Sequence, residues 1–459
     1  MISAAAALQP QLDDIDNLKL LAALESQMTS LRAQKERLLT DLDSLKYPVL
    51  TLPNEITVEI FFHFVSVMRQ EYHRPQPYYG LLILASVCQT WRAVTLSTCT
   101  LWNEGVKVDC DGIRNANKLL RACLPRAGSL PLDLNIKFLD VSSTDKIIST
   151  LILYGSQWRR IHLTSPGMWR LTFPVDRFPS YLPLLECLTL TNFRADDNSA
   201  SSLRHAPQLR ELNLCNCLWA IQLELGLPFN NLTKLDLSPF SITKLLAILP
   251  YALNLECLQL GYATEDTQVI PPLSVLLPHL HTFVCGQDRS TTVLQYLTLP
   301  ALEQLVLSGL SGAGVHAILS CVARSGSTIR TLNLIHLDFN AAYDCFCSLP
   351  TIRNLCFSRP SLDDEDRFFA ALISGSCLPA LESLTYKRCR PARADRVFAV
   401  VSARWRGIEG TTKLNSASLD FVEDWENGVD DHANVFDQLY ELGRQGLKLE
   451  ITGAPGATR

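Results

Sequence analysis

Leu182-Pro183-Leu184-Leu185-Glu186-Cys187-Leu188-Thr189-Leu190 is a phrase to which the chain keeps returning. Its pattern, Leu-Pro-x-Leu-x-x-Leu-x-Leu, recurs in Pro207-Gln208-Leu209-Arg210-Glu211-Leu212-Asn213-Leu214. It recurs again in Leu299-Pro300-Ala301-Leu302 with Leu305 and Leu307, and in Leu378-Pro379-Ala380-Leu381 with Leu384 and Tyr386. The last apolar residues of successive copies fall at 190, 214, 237, 260, 285, 307, 334, 357 and 386, at intervals of 22 to 29 residues. The closing Leu-x-Leu alternates as a half-buried strand does. Between copies the pattern turns helical, at Ser241 to Leu249, Val315 to Ala323 and Asp363 to Ile373.

That period lies in the leucine-rich-repeat range, and the core Leu-x-x-Leu-x-Leu-x-x-Cys is met at Leu209, Leu212, Leu214 and Cys217, and at Leu381, Leu384, Tyr386 and Cys389. Outlying copies are expected at Leu134/Ile136, Ile161/Leu163, Leu419/Phe421 and Leu449/Ile451, about twelve turns in all. The expectation for residues 106–459 is an α/β leucine-rich-repeat solenoid, with inward leucines stacked turn on turn and helices on the opposite side. An open parallel α/β sheet shares the strand–helix alternation and is the competing reading; the short fixed period favours the solenoid. Outward strand positions Thr189, Asn213, Asp236, Gln259, Asn333 and Thr385 are the candidate target-binding residues. Plain solvated surface is the alternative for each of them.

The chain has 459 residues, a net charge of −5 and a pI of about 6.0, which argues against a basic nucleic-acid clamp or a polybasic membrane anchor. Leucine makes up about one residue in six, one side chain used repeatedly for one structural job. No apolar run approaches the length of a bilayer span, and the first ten residues do not read as a secretion signal. Fifteen cysteines, an odd number set mostly in apolar stretches, read as free thiols in a reducing compartment, the cytoplasm or nucleus.

Residues 12–46 contain no Pro or Gly and are rich in helix formers. Leu21, Leu24, Met28, Leu31, Lys35, Leu38, Leu42 and Leu45 are spaced alternately by three and four, a heptad seam broken once by Lys35 at an a position. Residues 1–46 are therefore expected to form a coiled-coil helix. Either it makes a homodimer through 21–45, or it folds back on the body or acts as a spacer.

Pro48 ends that pattern. Leu52-Pro53 then stands at a helix entrance, with Ile56, Ile60 and Phe64 on one face and Phe61 beside them. Residues 66–80 read as a polar loop. Leu81, Leu84, Val87, Cys88 and Trp91 mark a second helical face, and Leu101-Trp102 closes the unit.

These clusters, Leu52-Pro53-x-Glu55-Ile56 to Ile60-Phe61, then Val87-Cys88-x-x-Trp91-Arg92, then Leu101-Trp102, resemble the F-box, and in particular the F-box proteins of mushroom-forming fungi that carry a coiled coil just upstream. The connection at 66–80 is longer than in a minimal F-box. The resemblance covers residues 47–105 and implies docking onto the Skp adaptor of a Skp–cullin–F-box ubiquitin ligase. Leu52, Pro53, Ile56, Ile60 and Phe61 would supply one docking surface, and Val87, Trp91, Leu101 and Trp102 the other. So small a module has too little interior to hide all these side chains, which fits a surface closed by a partner. A helical cap on the repeat domain is the alternative.

Other chemistry is thinly represented. Gly312-Ala313-Gly314-Val315-His316-Ala317 fits G-x-G-x-x-A between a strand and a helix, with Asp338 downstream. Every repeat shares that strand–helix context, so a flexible turn is the simpler reading. The pairs Cys215/Cys217 and Cys345/Cys347 lack a second pair at zinc spacing, and strand alternation would place both members of each pair on one side. Asp363-Asp364-Glu365-Asp366 reads as a helix N-terminal charge cluster. The resulting expectation is a noncatalytic substrate receptor without cofactor or metal. A repeat scaffold with no ubiquitin role is the alternative, and an enzyme built on the Gly312 loop is the third reading.

Overall fold

The computed structural model describes residues 2–44, 52–71, 78–103, 106–109, 116–138, 141–165, 167, 171–173, 181–195, 205–217, 228–264, 274–309, 311–336, 339–358, 365–389, 393–422 and 429–453. The chain divides into two compact units, residues 1–73 with 79–101, and residues 74–78 with 102–459. Leu45, Pro48, Asp338 and the Asp363-Asp364 pair lie outside the described residues.

All the secondary structure among the described residues of the smaller unit is helical. Helix α1 spans Ile2–Ser44, beginning well upstream of residue 12 because the alanine run Ala4 to Ala7 is strongly helix-forming; it continues past Pro10. Every side chain described in it, from Leu18 to Asp41, is exposed. Helix α2 spans Asn54–Glu71 and starts directly after Pro53, whose carbonyl accepts the Thr57 N–H at 3.0 Å and the Thr57 hydroxyl at 3.1 Å. It runs through 66–71, which reads as loop by composition; Phe61, Val65 and Met68, at i, i+4 and i+7, carry the apolar face onward into that polar stretch. Helix α3 spans Tyr79–Val87 and α4 spans Gln89–Ser97. Cys88 separates them as the N-cap of α4, its sulfur accepting the Trp91 N–H at 3.4 Å. The guanidinium of Arg92 reaches back to the Ala85 carbonyl at 2.8 Å, tying the two helices together. A last turn, α5, spans Thr100–Asn103.

The larger unit is a two-layer α/β structure of solenoid type. Among the described residues fourteen parallel strands form one sheet, and they lie in it strictly in chain order. An open doubly wound sheet reverses its strand order at a switch point; no reversal occurs among the described strands, which decides between the two sequence readings. All the expected Leu-x-Leu pairs are strands, including Leu132–Lys137, Trp158–Thr164, Ser416–Phe421 and Lys448–Thr452. The first strand, Val106–Asp109, was not anticipated; its four residues lie outside the repeat phrase.

Register follows from the leucines. Leu188, Leu212, Leu235, Leu258, Phe283 and Leu305 are opposite one another on successive strands. Leu190, Leu214, Leu237, Leu260, Cys285 and Leu307 form the next column. All of these are buried to within 1%, each full burial contributing about 1.5–3 kcal/mol. Later turns use aromatic residues in the same columns: Phe357 packs on Tyr386 with ring centroids 4.3 Å apart.

Two further devices repeat along the array. In nine successive strands of the sheet, from Cys187–Thr191 to Ser383–Cys389, the carbonyl just before the strand accepts two N–H groups of the next turn. Glu186 takes Arg210 and Glu211 at 2.8 and 3.0 Å, and Arg353 takes Glu382 and Ser383 at 2.8 and 2.9 Å. Just after several strands the backbone turns through positive φ, at Asn192, Asn216, Gly309, His336 and Gly453, residues that tolerate the left-handed region. Gly453 is obligatory there, since a Cβ would strike the Phe421 carbonyl. The expected helices are present as Ile242–Ile248, Gly312–Ser325 and Glu365–Ser374.

Candidate functional site

Two surfaces collect the residues singled out in the sequence. The first is the outer face of the helical unit. Phe61 is fully buried and meets Trp91 edge-on, ring centroids 5.0 Å apart. That contact is the unit's own core. Around it Ile56 is 49% exposed, Ile60 41% and Val87 56%, with Leu82 also exposed. Leu52 and Trp91 are half-buried and Pro53 is exposed.

Three residues expected on this surface are not on it. Phe61, Leu101 and Trp102 are 0%, 3% and 1% exposed. Phe61 points inward because it lies one residue past Ile60, about 100° around the helix. Trp102 belongs to the larger unit, where it packs on Tyr78 at 5.4 Å and under the Arg126 guanidinium at 5.4 Å.

The second surface is the open face of the sheet. Thr189, Asn213, Gln259, Asn333 and Thr385 all lie on it, half-buried, and share one row with Asp236 through the strand register. Neighbours in the row interact: the Asn213 amide donates to the Thr189 hydroxyl at 3.0 Å. Asp236 departs from expectation. It is only 8% exposed, hemmed in by Cys215, whose thiol donates to its carboxylate at 3.5 Å. Burial raises its pKa above the ordinary carboxylate value, so it is an enclosed acid and not an open contact residue. His162, on the same row, is held below its ordinary value by burial and by Arg160, and so remains neutral at physiological pH.

The thiols on this face are held above the ordinary range. Burial, reinforced by Glu211, pushes Cys187 up to about 11; burial, reinforced by Asp236, pushes Cys215 up to about 12. A nucleophilic cysteine needs the opposite shift. The two Cys-x-Cys pairs also part company. Asn216, at φ 52°, breaks the alternation after the strand, so Cys215 stays on the open face while Cys217 turns inward and donates to the Leu190 carbonyl at 3.2 Å. Cys345 and Cys347 lie on the helix Phe339–Ser348, the first buried and the second exposed. No cluster of metal-ligating side chains occurs among the described residues.

The glycine motif is accounted for by capping. Ser311 is the N-cap of Gly312–Ser325, its hydroxyl accepting the Gly314 N–H at 3.4 Å, and Gly312 borders open space. The Gly314 N–H, one of the free donors of the first turn, is thus taken by the chain's own side chain.

A feature the sequence reading missed lies at the amino ends of the strands. A groove of about 760 Å³ is lined by Glu186, Arg210, Asn231, Asn254, Glu256 and His281, among others. Asn231 and Asn254 each donate to a carbonyl of the preceding turn at 2.7 Å. The signal was in the phrase itself: the residue after its second leucine is polar or charged in every copy, with signs interspersed, as Glu186, Arg210, Glu256, Glu303, Arg330 and Glu382 show.

No helix among the described residues is long and apolar enough to cross a membrane. No protein-family model matches the chain, and no curated protein matches it in sequence. Among solved structures the chain is similar to a crystal structure of a Bacteroides fragilis protein from a structural-genomics programme, with 12% identity, a TM-score of 0.31, and coverage of 74% of this chain and 82% of that one.

Proposed function

We propose that the chain is a noncatalytic receptor subunit of a Skp–cullin–F-box ubiquitin ligase, with residues 52–101 as an F-box and the larger unit as a leucine-rich-repeat domain that holds a target protein. One observation supports this above the rest. The helical unit already has a closed core in Phe61 and Trp91, yet Ile56, Ile60 and Val87 remain 41–56% exposed around it. Large apolar side chains left exposed outside a core that does not need them fit a place that another protein covers. The docking set is accordingly Leu52, Pro53, Ile56, Ile60, Val87 and Trp91. The target would lie along the sheet's open row and the groove at its amino ends, which offer an extended polar and weakly charged surface. Catalysis in such a complex is proximity: a bound lysine is held at high effective concentration near the ubiquitin carrier.

Capture of purified Skp adaptor by the full-length chain tests the reading. Wild type binds, and Ile56→Asp with Ile60→Asp weakens binding at least tenfold while circular dichroism is unchanged, because both side chains are on the surface. Wild type that fails to bind removes the ubiquitin role and leaves the interaction scaffold. Equal capture by variant and wild type moves the docking surface elsewhere.

A further inference from the structure

The rod α1 presents an apolar seam that nothing in the described chain covers. Leu21 is 55% exposed, Leu24 51%, Met28 51%, Leu31 63% and Leu38 57%. These are the a and d positions of the heptad, and Lys35, Glu25 and Arg32 beside them are exposed as well. A seam of this period fits one kind of partner, another helix with the same period. Among the described residues there is one such helix, so a second copy supplies the match.

Charge decides how two copies lie together. In a parallel, in-register pair each a position faces itself, which sets Lys35 against Lys35 of the second copy inside an otherwise apolar seam. The e position Glu25 would then flank the g position Leu20, with no charge to meet. Reversing one helix changes each of these contacts. In the register that pairs Leu21 with Leu38 of the second copy, Met28 meets Leu31 and Lys35 meets Leu24. The Lys35 ammonium, on a stem long enough to reach the edge of the seam, then lies beside Glu25 of the second copy. Antiparallel pairing also brings e positions together, so Glu25 faces Arg32 of the second copy, twice by symmetry. Like charges are separated and opposite charges meet.

We infer that the chain self-associates as an antiparallel homodimer through α1, centred between Thr29 and Ser30. The inference is independent of the adaptor reading, since the seam and the Ile56–Ile60 face are different surfaces.

Sedimentation equilibrium of the full-length chain over micromolar concentrations tests it. A reversible dimer is expected, and Leu24→Glu with Leu31→Glu makes it monomeric. Glu25→Arg alone and Arg32→Glu alone each weaken association several-fold; combined in one chain they recover part of the loss, because the pair is re-formed with its signs exchanged while Lys35 stays without its acidic neighbour. All these positions are exposed, so the variants fold as the wild type does. Adaptor capture by the Leu24→Glu, Leu31→Glu chain stays at the wild-type level, which keeps the two readings apart. A wild type that remains monomeric throughout overturns the inference. A dimer in which the charge reversals show no mutual rescue overturns the antiparallel orientation.

Discussion

Asp236 carries its charge in a poorly solvated place on the sheet's open face. It is 8% exposed, its closest donor is the weak Cys215 thiol, and burial outweighs the nearby Lys234 in setting its acidity. A carboxyl whose folded pKa lies above its unfolded value binds protons more tightly when folded. Its ionised form therefore subtracts stability at neutral pH, and the penalty fades as pH falls through the raised folded value and is gone below the ordinary carboxylate value near 3.8. Asp236→Asn keeps the shape and an acceptor for Cys215 while removing the charge. The variant is expected to melt at a higher temperature than wild type at pH 7, with the difference shrinking through the acid range. Melting curves taken across that range check it, and a gain that grows on acidification contradicts the assignment. The sequence placed Asp236 correctly on the outward row; its enclosure was not legible, because period-2 alternation separates two faces without saying how tightly the outer one packs.

At the scale of the element, the strand is defined by what it buries. Leu258 and Gln259 are adjacent in the strand Cys257–Leu260, yet one is fully buried and the other half-exposed on the open face. Leu258→Ala removes a member of the continuous leucine column and is expected to cost about 2–5 kcal/mol. Gln259→Ala should stay within about 0.5 kcal/mol of wild type. Denaturant midpoints of the two variants, measured side by side, give the comparison; equal losses would mean that the column does not carry the fold. This division was legible because leucine spacing reports the buried face directly. The helix α2 was legible only in part. Its polar tail, residues 66–71, reads as loop by composition, while Phe61, Val65 and Met68 continue one apolar face into it. The strand Val106–Asp109 escaped notice for the opposite reason: four residues are too few to declare a period, and its register comes from pairing with the next strand, Val106 to Leu134 and Val108 to Ile136. The double-acceptor carbonyls between turns were also beyond sequence reading, since backbone groups leave no residue signature.

For the molecule as a whole, the boundary between the units is where sequence and structure differ in consequence. The sequence reading ended the helical module at residue 105, because Leu101-Trp102 completes its pattern. The structure divides the chain after Leu101 and gives Trp102 to the solenoid, together with residues 74–78. Trp102 is 1% exposed, between Tyr78 and Arg126, and so serves as core for the first turns of the array. A solenoid is close to one-dimensional: each turn contacts its neighbours, and a local loss spreads only as far as nearest-neighbour coupling carries it. Trp102→Ala should therefore cost about 3–5 kcal/mol locally and should act at one end. Amide hydrogen exchange read by mass spectrometry is suited to this, because protection is resolved along the chain. Peptides covering Ala116–Cys123 and Leu132–Lys137 are expected to lose protection, while those covering Asn354–Ser358 and Ser383–Cys389 keep theirs. Adaptor capture should persist, since Ile56, Ile60 and Val87 belong to the other unit. Exchange that rises uniformly through all the strands would mean that the array unfolds as one block, and loss of capture with solenoid protection intact would return Trp102 to the docking surface.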